Sequence, residues 1–98
     1  MRTVISNIET MVSGDIRRPI LDADSISIED GRITAVGKGL EGGADTVIDA
    51  KGSTVIPGLI DSHCHQVFGD FTPRQRTVDF IDSGLNGGLT TMISAGEV

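Results

Sequence analysis

Cysteine is almost absent from the sequence, and long apolar runs are missing altogether. One thiol cannot build a disulfide framework, which favours a reducing, cytoplasmic environment. No apolar stretch approaches the ~18 residues of a membrane-spanning helix, and Glu9 comes too soon for the apolar region of a signal peptide. We therefore expect a cytoplasmic protein with no membrane partner.

Basic residues are also few, since 8 Lys and Arg stand against 14 Asp and Glu and give a net charge of −6. A nucleic-acid-binding protein carries a basic patch, but Arg17-Arg18 and the pair Arg74 and Arg76 are isolated. The sequence therefore predicts no nucleic-acid partner. Its 13 glycines are scattered at separate turns and form no low-complexity tract, and no internal repeat is present.

Short β-branched segments separated by turns fill residues 1–56. Their spacing of about 8–12 residues is typical of a small β-sandwich or half-barrel. Asp30-Gly31 is the strongest hairpin signal, because a type I′ turn needs positive φ at both central positions. The glycine-rich loop from Gly37 to Gly43 lacks the residue order of a phosphate-binding loop. The predicted strands are Thr3–Ile8, Ser25–Ile28, Arg32–Val36, Thr46–Ile48 and Thr54–Ile56.

Both histidines of the chain lie in the segment Pro57–His65, two residues apart. If this segment forms a strand, Asp61, His63 and His65 share one face, since strand side chains alternate. The two histidine Cα atoms then lie roughly 6.6 Å apart, so both imidazoles can reach one metal ion at about 2.0–2.1 Å. The alternative is a pair of buried histidines that are hydrogen-bonded in a core.

A helix and a second strand follow the histidines. The run Thr72-Pro73-Arg74-Gln75 is a capping box with proline at the first helical position, which predicts a helix from there to about Asn86. The helix carries one apolar stripe, made of Val78, Ile81 and Leu85. Gly87-Gly88 supplies its left-handed cap, and Leu89–Ser94 is a predicted strand. A strand, a helix and a strand within about 40 residues predict a βαβ unit with parallel strands.

The order P-G-x-x-D-x-H-x-H, then a helix, then G-G-x-T-T, resembles the start of the amidohydrolase superfamily. The resemblance implies an α/β fold, in which residues 1–56 are the N-terminal part of a composite small β-sandwich and residues 57–98 begin a (β/α)8 TIM barrel. A whole barrel takes about 250 residues, so we expect an N-terminal fragment that holds the first strand, helix and second strand. In this superfamily strands from the far C-terminus complete the sandwich. Without them we expect an unpaired sheet edge and an exposed apolar face.

In this superfamily the His-x-His motif ends the first barrel strand and binds the catalytic metal. The resemblance implies that His63 and His65 bind one or two divalent ions, zinc in first place and iron or manganese as alternatives. It also implies that Asp61 orients an imidazole through its carboxylate. Ser94 ends the second strand and is the candidate for lining the substrate pocket. Cys64 is expected to face the helix layer as an inert thiol, and the catalytic base is expected on a later strand outside this chain.

Four segments narrow the resemblance to the enamidase family, which opens the cyclic enamide tetrahydro-6-oxonicotinate and releases ammonia. They are Val12–Ile16, Asp70–Gln75, Val78–Ile81 and Gly87–Gly96. The implied function is hydrolysis of a cyclic amide C–N bond by metal-activated water, with a small-molecule substrate and a homo-oligomeric full-length enzyme. The sequences of dihydroorotase-, hydantoinase- and imidazolonepropionase-like enzymes begin similarly, so these families remain alternative assignments.

Two further interpretations stay open. A non-catalytic relative would keep the fold as an interaction module, although it would have no reason to retain both histidines. A free-standing β-domain would use the histidines as a minor structural metal site, but one helix on two parallel strands buries little apolar surface. Two ligands fall short of the three protein ligands of a catalytic zinc. The 98-residue chain alone is therefore expected to bind metal weakly and to be inactive.

Overall fold

The computed structural model describes residues 1–65 and 76–96 of the chain. These residues form a mixed α/β structure that is mostly strand. The chain divides into two compact units, Met1–Pro57 and Gly58–Val98. The division falls one residue after the boundary that the sequence predicts.

The first unit consists of short strands in two sheets. The strands are β1 (Arg2–Ser6), β2 (Thr10–Val12), β3 (Ile20–Leu21), β4 (Ser25–Glu29), β5 (Arg32–Gly37), β6 (Thr46–Asp49) and β7 (Thr54–Val55). One sheet has the strand order β5-β4-β1-β6 and the other has the order β3-β2-β7. β1 and β2 pair in parallel with β6 and β7, which lie far along the sequence. β1 and β2 are therefore interior strands of their sheets.

Positive φ values mark the sharpest changes of direction in the first unit. The turn between β4 and β5 has φ 51° at Asp30 and φ 74° at Gly31, the two positive values that the predicted type I′ turn requires. Asn7 has φ 58°, which its short polar side chain tolerates. The predicted strand from Thr3 to Ile8 therefore ends at Ser6, and the chain passes from the first sheet to the second.

Side chains from both sheets meet in one apolar cluster, in which Ile8, Met11 and Ile26 are buried. Burial of such side chains is the main favourable term in folding. Ser25 is also fully buried, and its hydroxyl donates to Oδ1 of Asp24 at 2.6 Å, so that this buried polar group is satisfied. Partly buried residues complete the cluster, namely Ile5, Leu21, Ala23, Ile28, Ala50 and Val55.

Large apolar side chains remain in solvent on both edge strands of the four-stranded sheet. On β5, Ile33 is 65% exposed and Val36 is 44% exposed. On β6, Val47 and Ile48 are each 50% exposed. The expectation of an exposed apolar surface beside unpaired edges is therefore confirmed for this unit.

The described part of the second unit consists of β8 (Leu59–Cys64), α1 (Thr77–Asn86) and β9 (Leu89–Ser94). β8 and β9 pair in parallel, as the sequence predicts for a βαβ unit. At the end of α1, the Gly88 N–H donates to the Leu85 carbonyl at 2.9 Å, and Gly88 has φ 98°. This is the predicted left-handed cap. None of the residues of α1 is buried, and the apolar stripe on it remains in solvent.

The start of α1 differs from the prediction. The predicted capping box at Thr72–Gln75 lies outside the described residues, and Arg76 has extended backbone with φ −98° and ψ 145°. A helix cannot run through Arg76 in this conformation, so a helix that continues unbroken from Pro73 is wrong. Asp79 lies in the first turn of the observed helix, where a carboxylate favours the positive end of the helix dipole. Within residues 1–65 and 76–96, no helix is long and apolar enough to cross a membrane.

Candidate metal centre

Gly58, the first residue of the second unit, lies directly against Thr90 of β9. A Cβ atom on Gly58 would lie 2.7 Å from the Cβ of Thr90, well inside van der Waals contact. The neighbouring Leu59 N–H donates to the Gly88 carbonyl at 2.9 Å and so begins the pairing of the two strands. The glycine that the sequence assigns to a turn is therefore required by close packing against Thr90.

β8 carries one extra residue between Asp61 and Cys64. Asp61 pairs with Met92 and Cys64 pairs with Ser94, so three steps along β8 match two steps along β9. Within this segment Oδ1 of Asp61 accepts the backbone N–H of His63 at 3.1 Å. An extra residue of this kind breaks the two-residue alternation of side chains along a strand.

Because of this bulge, alternation alone no longer puts Asp61 on one strand face with both histidines, and the shared face stays a prediction. Asp61 borders a cavity of about 390 Å³ whose walls include Phe80 of α1 and Met92 of β9. Its carboxylate accepts the backbone N–H of His63. Asp61 therefore acts on the strand that carries the histidines, and a contact between its carboxylate and an imidazole stays a prediction.

The two imidazoles lie side by side at the C-terminal end of β8. The ring centroids of His63 and His65 are 5.1 Å apart, and the ring planes are inclined by 75°. Both residues are exposed to solvent, which contradicts the alternative of two histidines buried in a core. The predicted proximity of the two rings is confirmed. Since neutral imidazole suits zinc, iron and other transition metals, the pair is suited to supply two donors to one ion.

The ring of His65 is held by the loop that follows β9. Its Nδ1 atom lies 2.7 Å from the carbonyl oxygen of Gly96. A carbonyl oxygen only accepts, so the ring must donate an N–H from Nδ1 in this contact. In the neutral ring the lone pair is then on Nε2, which is the nitrogen left for a metal.

Cys64, between the two histidines, points away from solvent. Its thiol is buried and donates to the Ile93 carbonyl at 3.5 Å. Burial raises the pKa of the Cys64 thiol, and the nearby Asp61 carboxylate raises it further. Because the thiolate is the nucleophile and the metal ligand, this environment agrees with the predicted inert role.

Ser94, the candidate for a substrate-pocket residue, ends β9 and is exposed. Its hydroxyl oxygen accepts the Gly96 N–H at 3.1 Å. The Ala95 N–H donates to the Cys64 carbonyl at 2.9 Å, which joins the end of β9 to the strand that carries the histidines. The structure thus places Ser94 near His65 and gives it a part in shaping the loop, while a contact with substrate stays a prediction.

The residues present match part of a metal site. A catalytic zinc takes three protein ligands and a water molecule, and two exposed imidazoles fit two of those positions. The part of the chain that the structure describes contains no group of three or more His, Cys, Asp or Glu residues suited to hold an ion. The donor set therefore agrees with an incomplete site that needs at least one further ligand.

Two features of this site escape sequence reasoning. The bulge in β8 depends on the register between β8 and β9. No single residue of β8 indicates it. The carbonyl group that holds His65 belongs to Gly96, 31 residues away. The available signal was the glycine itself, because a glycine directly after a strand often marks left-handed backbone, and Gly96 has φ 92°.

No protein-family model matches the chain. The chain is 56% identical over 99 residues to enamidase from Eubacterium barkeri, a match that covers 98% of this chain and 26% of that protein. A solved structure of enamidase, described as a member of the amidohydrolase superfamily, matches with a TM-score of 0.84 at 54% identity over 99% of this chain and 26% of that one. L-Hydantoinase from Arthrobacter aurescens matches with a TM-score of 0.76 at 32% identity over 94% of this chain and 20% of that one. The chain thus spans about a quarter of the length of the enamidase that it matches.

Proposed function

The chain belongs to the amidohydrolase superfamily, and we propose that it supplies two ligands, His63 and His65, to the divalent metal of a cyclic amidase. Members of this superfamily use divalent metals. The observation that carries the proposal is the pair of exposed imidazoles, 5.1 Å apart at the C-terminal end of a strand. Active sites of (β/α)8 barrels lie at the C-terminal ends of the strands.

The proposal includes the architecture around the site. The first unit is the N-terminal part of a composite β-sandwich, and the second unit is the first β-α-β element of a (β/α)8 barrel. The exposed apolar residues of β5, β6 and α1 support this assignment, since a folded protein buries most surfaces of that kind. The remaining barrel strands, the further metal ligands and a carboxylate base then belong to parts of the protein beyond this chain, and the full-length enzyme is a homo-oligomer.

When bound, a divalent ion of this kind supplies hydroxide at neutral pH and polarises a carbonyl group. The residues of this chain bind and orient. His63 and His65 each present one imidazole nitrogen to the ion, zinc being the first candidate and iron or manganese the others. Asp61 fixes the backbone at His63, and the buried thiol of Cys64 stays out of the reaction.

The substrate class proposed is a cyclic amide whose C–N bond is hydrolysed. The 56% identity to enamidase supports tetrahydro-6-oxonicotinate, the cyclic enamide that the resemblance implies as substrate. The similarity to L-hydantoinase supports a dihydroorotase-, hydantoinase- or imidazolonepropionase-like activity as the second candidate.

The metal assignment is tested by zinc titration and metal analysis of the full-length protein that contains this segment and of its His63→Ala/His65→Ala variant. We expect the double variant to lose at least tenfold in zinc affinity. A Ser62→Ala variant is the matched control, because Ser62 is an exposed neighbour on the same strand. Equal zinc binding by the double variant and the control would remove the ligand assignment.

The activity is tested with the full-length protein that contains this segment. Ammonia release from tetrahydro-6-oxonicotinate is compared with ring opening of dihydroorotate, of a hydantoin and of imidazolonepropionate. Turnover of the first substrate alone supports the enamidase assignment, and turnover of one of the others alone supports the second candidate. A metal-loaded, folded enzyme that opens none of these rings would contradict both.

A further inference from the structure

The Ser94–Gly96 turn after β9 holds the ring of His65 by a short series of hydrogen bonds. The Gly96 N–H donates to the hydroxyl of Ser94 at 3.1 Å, which closes the turn on itself. The Ala95 N–H donates to the Cys64 carbonyl at 2.9 Å, which fixes the turn to the ligand-bearing strand. The Gly96 carbonyl oxygen then lies 2.7 Å from Nδ1 of His65. Each contact restricts the next, from Ser94 to the imidazole.

The backbone conformation of Gly96 is what aims this carbonyl group. Gly96 has φ 92°, a region that residues with a Cβ rarely adopt. A Cβ on Gly96 would meet no atom within 4 Å. The requirement for glycine therefore comes from the backbone angle and not from crowding, and this angle helps to place the carbonyl group beside His65.

We propose that Gly96 is a positioning residue for the metal centre, because its carbonyl group selects the Nδ1–H tautomer of His65 and leaves Nε2 as the donor atom. Ser94 supports this role by holding the Gly96 amide. The role is distinct from the substrate contact predicted for Ser94. This inference rests on the proposed metal-binding function, because the position of the His65 ring matters for a metal that it binds. The tautomer itself exists without a metal and is measured without one.

The tautomer can be read directly, because the chain contains only two histidines. Long-range ¹H–¹⁵N correlation spectra of ¹⁵N-histidine-labelled chain, recorded without metal at a pH where both imidazoles are neutral, show which ring nitrogen carries the proton. A free histidine side chain favours the Nε2–H form. We expect His65 to be mainly in the Nδ1–H form. If the wild-type chain carries the His65 proton on Nε2, that single measurement overturns the proposal.

Gly96→Ala tests the cause of this preference. We expect the Nδ1–H population of His65 to fall at least several-fold and the zinc affinity to fall about 10–100-fold, the usual effect of losing a partner that orients a metal-binding histidine. Gly31→Ala is the matched control, because Gly31 has φ 74°, open space at the Cβ position and a place in the other unit. The control should leave both readouts unchanged, since it carries similar backbone strain without touching His65.

Ser94→Ala and Ser94→Thr provide a second, milder pair of variants. Alanine removes the acceptor of the Gly96 N–H and should reduce the Nδ1–H population, whereas threonine keeps a hydroxyl and should restore it. An unchanged His65 tautomer in both Gly96→Ala and Ser94→Ala would overturn the proposal. Equal zinc affinity of the full-length protein and of its His63→Ala/His65→Ala variant would count against the proposed function instead, since the tautomer measurement does not use metal.

Discussion

Gly58 lies so close to Thr90 that no side chain fits between the two residues. The Cβ of Thr90, which is fixed to its backbone, would lie 2.7 Å from a Cβ on Gly58, so the two strands would have to separate. We predict that Gly58→Ala lowers the free energy of unfolding by about 1–3 kcal/mol, the usual cost of overpacking, as measured by urea denaturation. Adding Thr90→Gly should recover most of the loss. A Gly58→Ala chain as stable as the wild type would contradict this packing.

Gly84 on α1 gives a contrasting prediction. A Cβ there would meet the terminal methyl of Met92, which is the end of a flexible side chain. Alanine also gains about 1 kcal/mol of helix propensity over glycine. We therefore expect Gly84→Ala to change the free energy of unfolding by less than about 1 kcal/mol, clearly less than Gly58→Ala does. A larger loss would show that Met92 cannot move, and Met92→Ala in the same background would then relieve it.

We predict that the first unit loses stability in acid because of the hydrogen bonds that Asp49 accepts. The backbone N–H of Lys51 and the side-chain amide of Asn7 donate to its Oδ1 atom at 2.7 Å and 3.0 Å. These hydrogen bonds, the first being the larger cause, lower the pKa of Asp49 below its ordinary value of 3.8. A lowered folded-state pKa contributes stability that is present above the unfolded pKa and is lost as the pH falls through the folded one.

Asp49→Asn should therefore flatten the loss of thermal stability between about pH 5 and about pH 3. Melting temperatures measured across this range by circular dichroism test the prediction. Glu41→Gln removes the same charge from an exposed site of the same unit and should leave the wild-type slope unchanged. Identical slopes for the wild type and Asp49→Asn would show that the Asp49 hydrogen bonds do not contribute.

We predict that Arg2 stabilises the glycine-rich loop between β5 and β6. Its guanidinium donates to the Leu40 carbonyl at 3.0 Å and also to the Gly42 carbonyl, while its backbone N–H donates to Oδ2 of Asp45 at 2.7 Å. Lysine cannot reproduce this planar fork. We expect Arg2→Lys to raise amide hydrogen exchange at Asp45 by about 5–30-fold, equivalent to about 1–2 kcal/mol. Arg32→Lys on the exposed edge strand is the control and should leave the exchange at Asp45 unchanged.

Local signals in the sequence predict much of this structure. Asp30-Gly31 determines its hairpin through its own backbone preferences, and Gly88 ends α1 in the same way. The two histidines are two residues apart on one strand, so their proximity also follows from local geometry. Features of this kind depend on a few neighbouring residues, which is why the sequence alone predicts them.

Three features that depend on distant partners do not follow from the sequence alone. The parallel pairing of β1 with β6 is set by side chains that meet only in the folded unit. The bulge before Cys64 is set by the register with β9, and it interrupts the two-residue alternation from which one shared face for Asp61, His63 and His65 is predicted. The extended backbone at Arg76 likewise interrupts the helix that the sequence predicts as continuous to about Asn86.

The parallel pairings of β1 and β2 also affect how the first unit forms during translation. Arg2 bonds to Asp45 across 43 residues of sequence, and closing so long a loop slows folding relative to local hairpins. On the ribosome, β1 and β4 can meet early, but the other edge of β1 stays open until Asp49 has left the exit tunnel. The first unit therefore completes its sheets only after more than half of this chain has been synthesised.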